Sequence, residues 1–183
     1  VAVSVDSQPI KMLRYTAKKY SVAVSFGYYE LCDEAIYSSY MFIGKNGEIV
    51  NNFRRVSQGW KEYDITDEHY KEGDGFKTFT YMGKRIALAV CGDLWYEENI
   101  EQINKEKFDF LLYPVYVTYN TEMWRTKLVN EYAEQAKKIP RPVFLVNSIC
   151  DADNTRGGCY AFLNGKTVCE VPMGQDGYLL VRV

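Results

Sequence analysis

Short, continuous apolar runs are the feature that most constrains the fold of this chain. Residues 86–90 and residues 143–146 contain no polar side chain. A strand carries such an unbroken run when both faces of its sheet are covered. Segments with apolar residues at helical spacing lie between the runs, as in residues 121–138. This alternation of strands and helices predicts an α/β fold with helices packed on sheets.

Hydrophobic period and turn residues predict the individual elements. Helices are expected over residues 8–20, 97–105 and 121–138. Strands are expected over residues 22–26, 40–43, 49–53, 76–81, 85–91, 108–113, 143–147, 159–163, 167–171 and 178–183. Residues 55–73 are polar and predict a long ordered loop or short helix, and loops of that length are often functional. We interpret residues 1–183 as a single domain.

Composition excludes several functional classes. The chain has 183 residues, 47% of them hydrophobic, and a net charge of −2 with acids and bases mixed along the sequence. The absence of a basic stripe argues against a nucleic-acid partner. No apolar run approaches the roughly 18 residues that would span a bilayer, and no signal-peptide pattern is present. Neither nucleic acid nor a membrane is therefore expected as a partner.

Cysteine and histidine counts restrict the chemistry further. There are five cysteines, at widely spaced positions without a Cys-x-x-Cys pair, and a single histidine, His69. This pattern favours a reduced, cytoplasmic protein over a disulfide framework or a zinc site. A metal site with several histidines is impossible within one such chain. No metal and no other cofactor is predicted.

Cys91 lies where an apolar strand turns sharply into a helix. The strand ends at Cys91, the chain turns at Gly92, and the next helix begins near Glu97. A nucleophile at such a junction projects from the end of the sheet, and the N–H of the following residue can face the same point. Acyl transfer requires this pairing of a thiolate with an oxyanion donor. The alternative is a buried structural cysteine at a strand end.

This segment resembles the nucleophile motif of the nitrilase, or carbon–nitrogen hydrolase, superfamily. In that family an apolar strand ends in cysteine, usually followed by an aromatic residue and then by aspartate or glutamate. Cys91 and Asp93 match, whereas Gly92 departs from the usual aromatic. Weaker similarities to the family occur on both sides of this motif, in the order in which the family has them: residues 17–30, 44–50, 111–114, 157–159 and 164–166.

The resemblance implies a nitrilase-like four-layer α-β-β-α sandwich that forms homodimers through its helix layers. It also implies a hydrolase of non-peptide carbon–nitrogen bonds in a small amide, nitrile or carbamoyl compound. The family works through a cysteine thioester, with a glutamate as general base and a lysine that stabilises the oxyanion. By the same resemblance, Tyr116 could line the substrate pocket, with a purely structural role equally open.

Two residues compete for the position of the family's lysine. By register from the turn at Gly47 the position falls on Arg55, whose wider guanidinium does not replace an ammonium freely. After a short insertion it falls on Lys61, with Glu68 as the supporting glutamate seven residues later. We favour Lys61 and Glu68 as catalytic residues. Gly92 and Arg55 are then expected to bind the oxyanion or to line the pocket. Solvated loop charges at both positions remain the alternative.

The family's base glutamate precedes the helix predicted at residues 8–20. Residues 1–20 contain no Pro-Glu pair, so we expect the base to lie before Val1, in a first strand-helix-strand portion that this chain lacks. The 183-residue chain alone is then expected to be inactive. The alternative is a catalytically incomplete fragment or paralogue with a structural or dimerisation role. A Rossmann-like binding domain is disfavoured, because no Gly-x-Gly-x-x-Gly is present.

Overall fold

Two compact units make up the chain in the computed structural model, Val1–Gly75 and Phe76–Val183. The structure describes residues 2–62, 64–151 and 154–183. Each unit contains a β-sheet with at least one helix packed on it. Such layers form because a strand or helix with one apolar face must bury it against another element.

The first unit packs one helix on a three-stranded antiparallel sheet. Helix α1 (Gln8–Tyr20) precedes strands β1 (Val24–Cys32), β2 (Ala35–Ile43) and β3 (Ile49–Arg54), which lie in the order β1-β2-β3. Ile10 and Ala17 of the helix pack against Met41 and Ile43 of β2. Burying a side chain of the size of Met41 or Ile43 contributes about 1.5–3 kcal/mol.

Two tight turns set the register of this sheet. Asp33 and Glu34 join β1 to β2 with φ angles of 47° and 69°. Both central residues have a positive φ in the two-residue hairpin turn whose backbone twist matches the twist of the flanking strands. The predicted turn at Gly47 is confirmed, with a φ of 82°, and its carbonyl accepts a hydrogen bond from Arg14 Nε at 2.8 Å. The prediction that the first strand ends at residue 26 is wrong. Gly27 lies within the ladder opposite Tyr40, and β1 continues to Cys32.

The second unit contains a six-stranded mixed sheet in the order β11-β10-β7-β6-β5-β4. Strands β5, β6 and β7 are parallel, and the outer strands are antiparallel to their neighbours. The strands are β4 (Phe79–Tyr81), β5 (Lys84–Leu88), β6 (Phe110–Val115), β7 (Val143–Asn147), β10 (Cys159–Leu163) and β11 (Lys166–Val171). Strands β8 (Ile149–Cys150) and β9 (Thr155–Arg156) form a separate pair.

The helices of this unit bury apolar residues that recur at helical spacing. Helix α2 (Glu97–Lys105) buries Ile100 and Ile103. A long helix follows as α3 (Thr121–Met123), a π-helical turn at Trp124–Leu128, and α4 (Val129–Lys137). Its buried residues lie in one core with the sheet: Trp124, Leu128, Tyr132 and Ala136.

Several strand predictions in this unit are wrong, among them the end of β5, which lies at Leu88 and not at Cys91. Strand β6 does not stop before Pro114 but continues to Val115. Ala89 N donates to Leu112 O, so the backbone N–H and C=O of Leu112 face β5, and those of Pro114, two residues later, face the same side. Because β5 has already ended at Leu88, the missing N–H of Pro114 points past the end of β5. Residues 178–183, predicted as a strand, lie outside any strand in the described structure. Of the helices that the structure describes, none is long and apolar enough to cross a membrane.

Candidate active site

Cys91 opens a turn with a strained backbone between β5 and α2. The segment Cys91–Trp95 forms a 3-10 turn, and Tyr96 then precedes α2. Cys91 has a φ of 48°, in the left-handed region, which costs a residue with a side chain roughly 1–2 kcal/mol. Its thiol is free and half-buried. Such strain persists only where the surroundings impose it, and it concentrates at functional sites.

Asp93 fixes the backbone on both sides of this turn. Its side chain is fully buried, and Oδ2 accepts a hydrogen bond from the Val90 N–H at 2.8 Å. The Asp93 N–H donates back to Val90 O at 3.0 Å, and Asn99 Nδ2 donates to Asp93 O at 3.2 Å. The motif residue Asp93 therefore holds Cys91 between two anchored peptides.

Tyr113 also contacts the turn, and sequence reasoning missed it. This fully buried residue of β6 donates a hydrogen bond from Oη to Cys91 O at 2.6 Å. Burial raises the pKa of Tyr113 well above that of an ordinary tyrosine, so its hydroxyl stays protonated. An aromatic residue inside an apolar strand carries no sequence signal for this contact.

The ends of the parallel strands place further residues at the same edge of the sheet. Carboxyl ends of parallel strands are where ligands bind in open α/β sheets. Tyr116 follows β6 there and is 47% exposed. Asn147, the buried last residue of β7, binds the next residue of that loop, accepting from Val117 N at 3.0 Å and donating to Val117 O at 3.3 Å. The sequence marks Asn147 only as a polar residue that ends an apolar run.

Arg55 lies in the first unit, immediately after β3, and is buried. Its Nε donates to Ser57 Oγ at 2.9 Å and its Nη2 to Gln58 O at 3.2 Å. Its backbone bonds Ser38 O and Gly73 N at 2.9 and 2.8 Å. The guanidinium is therefore held by loop oxygens, and the loop begins and ends beside β2 and β3.

Lys61 is held within the same loop by a carboxylate that the sequence did not single out. Lys61 Nζ forms an ion pair with Glu72 Oε1 at 2.8 Å and donates to Tyr70 O at 2.9 Å. The Lys61 and Glu72 side chains are 11% and 23% exposed, whereas Glu68 is exposed to solvent. Glu68 follows the seven-residue spacing, but the folded path of the loop brings Glu72 to the ammonium.

The prediction of a loop over residues 55–73 is confirmed, with no helix or strand among its described residues. Trp60 lies 6.1 Å from the Tyr29 ring and 6.0 Å from the Tyr70 ring. Ile36 of β2 accepts from Lys71 N at 2.9 Å and donates to His69 O at 2.7 Å. These bonds tie the loop to the start of β2. The His69 ring is exposed and bonds Asp67, as expected for a loop residue.

A buried ion pair fixes the end of β3 just before Arg55. Glu30, 2% exposed, accepts from Arg54 Nε and Nη2 at 3.0 and 2.8 Å and from Ser39 Oγ at 2.6 Å. Burial alone would raise the pKa of Glu30, but the bonds from Arg54 and Ser39 outweigh it and lower that pKa below its ordinary value. The Arg54 guanidinium also lies over the Tyr37 ring, 3.8 Å from its centre.

Comparison with known proteins gives a family match over the whole chain. The family model described as carbon-nitrogen hydrolase matches residues 1–183. The citrullinase of Francisella tularensis subsp. tularensis is 25% identical over 120 residues, which are 62% of this chain and 41% of that protein. This chain thus spans less than half the length of that curated relative.

Solved structures confirm the nitrilase-like α/β fold. A carbon-nitrogen hydrolase from Helicobacter pylori G27 has a TM-score of 0.70 at 16% identity, covering 87% of this chain and 61% of its own. A variant of the amidase from Nesterenkonia sp. AN1 has a TM-score of 0.71 at 15% identity, covering 89% and 62%. That structure shows the acetamide moiety of fluoroacetamide covalently added at the active-site cysteine.

Proposed function

Because the chain belongs to the carbon-nitrogen hydrolase family, we propose that Cys91 is the nucleophile of an enzyme that hydrolyses a non-peptide carbon–nitrogen bond. The substrate is a small amide, nitrile or carbamoyl compound. The observation that carries the proposal is the strained turn at Cys91, held by Asp93 and Tyr113 at the end of a parallel strand. Since the chain spans only part of its relatives, the activity proposed is that of the protein at its natural length.

For an amide, the reaction begins with attack of the Cys91 thiolate on the carbonyl carbon. The new C–S bond turns the carbonyl oxygen into an oxyanion, for which the Gly92 N–H is the proposed donor. The C–N bond then breaks, and the amine leaves with a proton from the general acid. Water hydrolyses the thioester to a carboxylate and regenerates the thiol. The covalent adduct on the cysteine of the Nesterenkonia amidase supports this role for Cys91.

Lys61 is our proposal for the cation that stabilises the oxyanion, with Arg55 as the alternative. The ion pair with Glu72 supports Lys61, because it holds a long, flexible ammonium in one place. We propose Glu72 for the supporting role that the seven-residue spacing assigns to Glu68. Tyr116, exposed beyond β6, is proposed to line the substrate pocket.

The cellular location and the oligomeric state of the enzyme are proposed from more general features of the chain. The five free cysteines support a reducing, cytoplasmic location. A homodimer formed through helix layers rests on the family resemblance.

The proposal is tested by labelling with fluoroacetamide, followed by peptide mass spectrometry. We expect one label per chain, at Cys91, because an activated thiolate displaces fluoride faster than a structural thiol does. Cys91→Ala should remove the label, whereas the matched control Cys159→Ala should keep it, since Cys159 is also free and half-buried. In the protein at its natural length, Cys91→Ala should also abolish ammonia release from the substrate amide.

Two results would count against the proposal. Labels spread evenly over several cysteines would make Cys91 an ordinary thiol, and undiminished ammonia release by Cys91→Ala would exclude it as nucleophile. Selective labelling without turnover by the protein at its natural length would instead favour a catalytically incomplete paralogue.

A further inference from the structure

We propose that Tyr113 is a positioning residue whose hydroxyl clamps the carbonyl of Cys91, the first residue of the turn. Tyr113 is fully buried in β6, and its Oη donates to Cys91 O at 2.6 Å. Cys91 opens the 3-10 turn Cys91–Trp95. The inference deepens the proposed role of Cys91 as nucleophile and rests on it.

The direction of this hydrogen bond follows from the chemistry of the two groups. A carbonyl oxygen can only accept, so the single hydroxyl proton of Tyr113 is directed to Cys91 O.

Fixing the carbonyl of Cys91 also fixes the donor proposed for the oxyanion. Cys91 C=O and Gly92 N–H belong to one planar peptide group and point in opposite directions. A hydrogen bond that holds the carbonyl on the Tyr113 side therefore aims the Gly92 N–H away from it. Donors fixed before the reaction stabilise developing charge without reorganisation. Tyr113 acts through this peptide and not on the substrate.

Nearby aromatic residues hold Tyr113 in this position. The Tyr132 ring lies 6.1 Å from the Tyr113 ring and 5.2 Å from the Trp95 ring, edge-on to the latter. Tyr132 also packs 5.0 Å from Trp124 in the same core. The clamp is therefore part of the rigid core and not of a surface loop, as a precise site requires.

The test compares Tyr113→Phe with Tyr160→Phe. Tyr160 is a matched control, because its buried hydroxyl in the same core bonds Trp124 Nε1 and Met173 N, each at 2.8 Å, and belongs to no part of the turn. In the protein at its natural length, Tyr113→Phe should lower kcat at least about tenfold with KM nearly unchanged. Tyr160→Phe should leave kcat within about twofold.

The pH profile separates positioning from proton transfer. Because burial keeps the pKa of Tyr113 far above the working range, the hydroxyl donates at every pH tested. The ratio of wild-type to Tyr113→Phe kcat/KM should therefore stay constant between about pH 6 and pH 9. A ratio that changes tenfold over that range would make Tyr113 an acid or base and overturn the inference.

Hydrogen exchange tests the clamp without any turnover. In Tyr113→Phe the Asp93 amide, which donates to Val90 O in the turn, should exchange at least about tenfold faster than in the wild type, and in Tyr160→Phe it should not. Unchanged exchange in Tyr113→Phe, or unchanged kcat in an active enzyme, would overturn the inference. If the wild-type protein shows no turnover at its natural length, the proposed function fails, and exchange alone decides whether Tyr113 clamps the turn.

Discussion

Arg54 and Arg55 are adjacent in the chain but meet different surroundings. Arg54 extends to the buried carboxylate of Glu30 and lies over the Tyr37 ring. Arg55 points instead to the hydroxyl of Ser57 and the carbonyl of Gln58. Successive side chains at the end of a strand point to opposite faces, so one arginine anchors the sheet while the other meets the loop.

The Glu30–Arg54 pair makes stability depend on acid pH. The pKa of Glu30 is lowered in the fold, so its ionised form is stabilised by folding. That contribution is present above the unfolded pKa of about 4.5 and is lost as the pH falls through the lower folded value. We expect Glu30→Gln to destabilise the protein at neutral pH by about 1–3 kcal/mol, because Arg54 is partly solvated and a fully buried pair would cost more.

Urea unfolding at pH 7 and at steps below about pH 4.5 measures this effect. The wild type should lose stability across the acid steps, and the difference between wild type and Glu30→Gln should shrink. Glu34→Gln, which changes an exposed carboxylate on the neighbouring turn, should follow the wild type. A constant difference between Glu30→Gln and wild type at every pH would contradict the assigned ionisation.

At the scale of elements, the sequence predicts those helix and strand bounds that are set by the residues of the element itself. Helices α1 and α2 match their predicted bounds, because helical period and terminal residues mark them. Strand β1 extends past Gly27 and β6 past Pro114, because the neighbouring strands accommodate a glycine in the ladder and a proline beyond the end of β5. Local pattern could not show either neighbour.

The candidate site shows the same division between local and tertiary information. The turn at Cys91 follows from an apolar run ending in Cys-Gly-Asp, and its strand–turn–helix setting is confirmed. Tyr113 and Glu72 were missed, because their roles depend on which carbonyl or ammonium the fold brings to them. Hydrogen bonds between elements distant in sequence leave no periodic signal.

The loop of residues 55–73 carries both candidate cations, and substitution separates them. If Lys61 stabilises the oxyanion, Lys61→Met should lower kcat about 10²–10³-fold, and Lys61→Arg should not restore it, because the guanidinium fork differs from an ammonium. Arg55→Met should mainly reduce stability, since it removes the hydrogen bonds that Arg55 donates to Ser57 Oγ and Gln58 O. Lys71→Met, in the same loop with an exposed side chain, is the control.

Steady-state kinetics and urea unfolding of these variants, at the protein's natural length, distinguish the assignments. A kcat lost in Arg55→Met and retained in Lys61→Met would make Arg55 the cation. Equal kcat in all the variants would mean that neither Lys61 nor Arg55 stabilises the oxyanion and that both are structural residues.

At the scale of the whole molecule, each unit buries an apolar core of its own, but some large apolar side chains remain exposed to solvent. The second unit buries a large aromatic cluster around Trp124, Tyr132 and Tyr160, whereas the first relies on a small one around Met41. Residues 178–183 lie outside any strand in the described structure, and Tyr178 and Leu180 are 81% and 84% exposed. With a net charge of only −2, little repulsion opposes association through that segment.

This exposed segment predicts that self-association depends on its apolar side chains. A β-prone segment that lies outside any sheet can pair with another chain. Leu180→Lys should therefore raise the concentration at which the protein associates by about tenfold, because a charge would have to be buried at the contact. Met82→Lys is the matched control, since Met82 is 72% exposed on the turn between β4 and β5. Sedimentation velocity over a concentration series measures both, and equal shifts in the two variants would mean that net charge, not this segment, governs association.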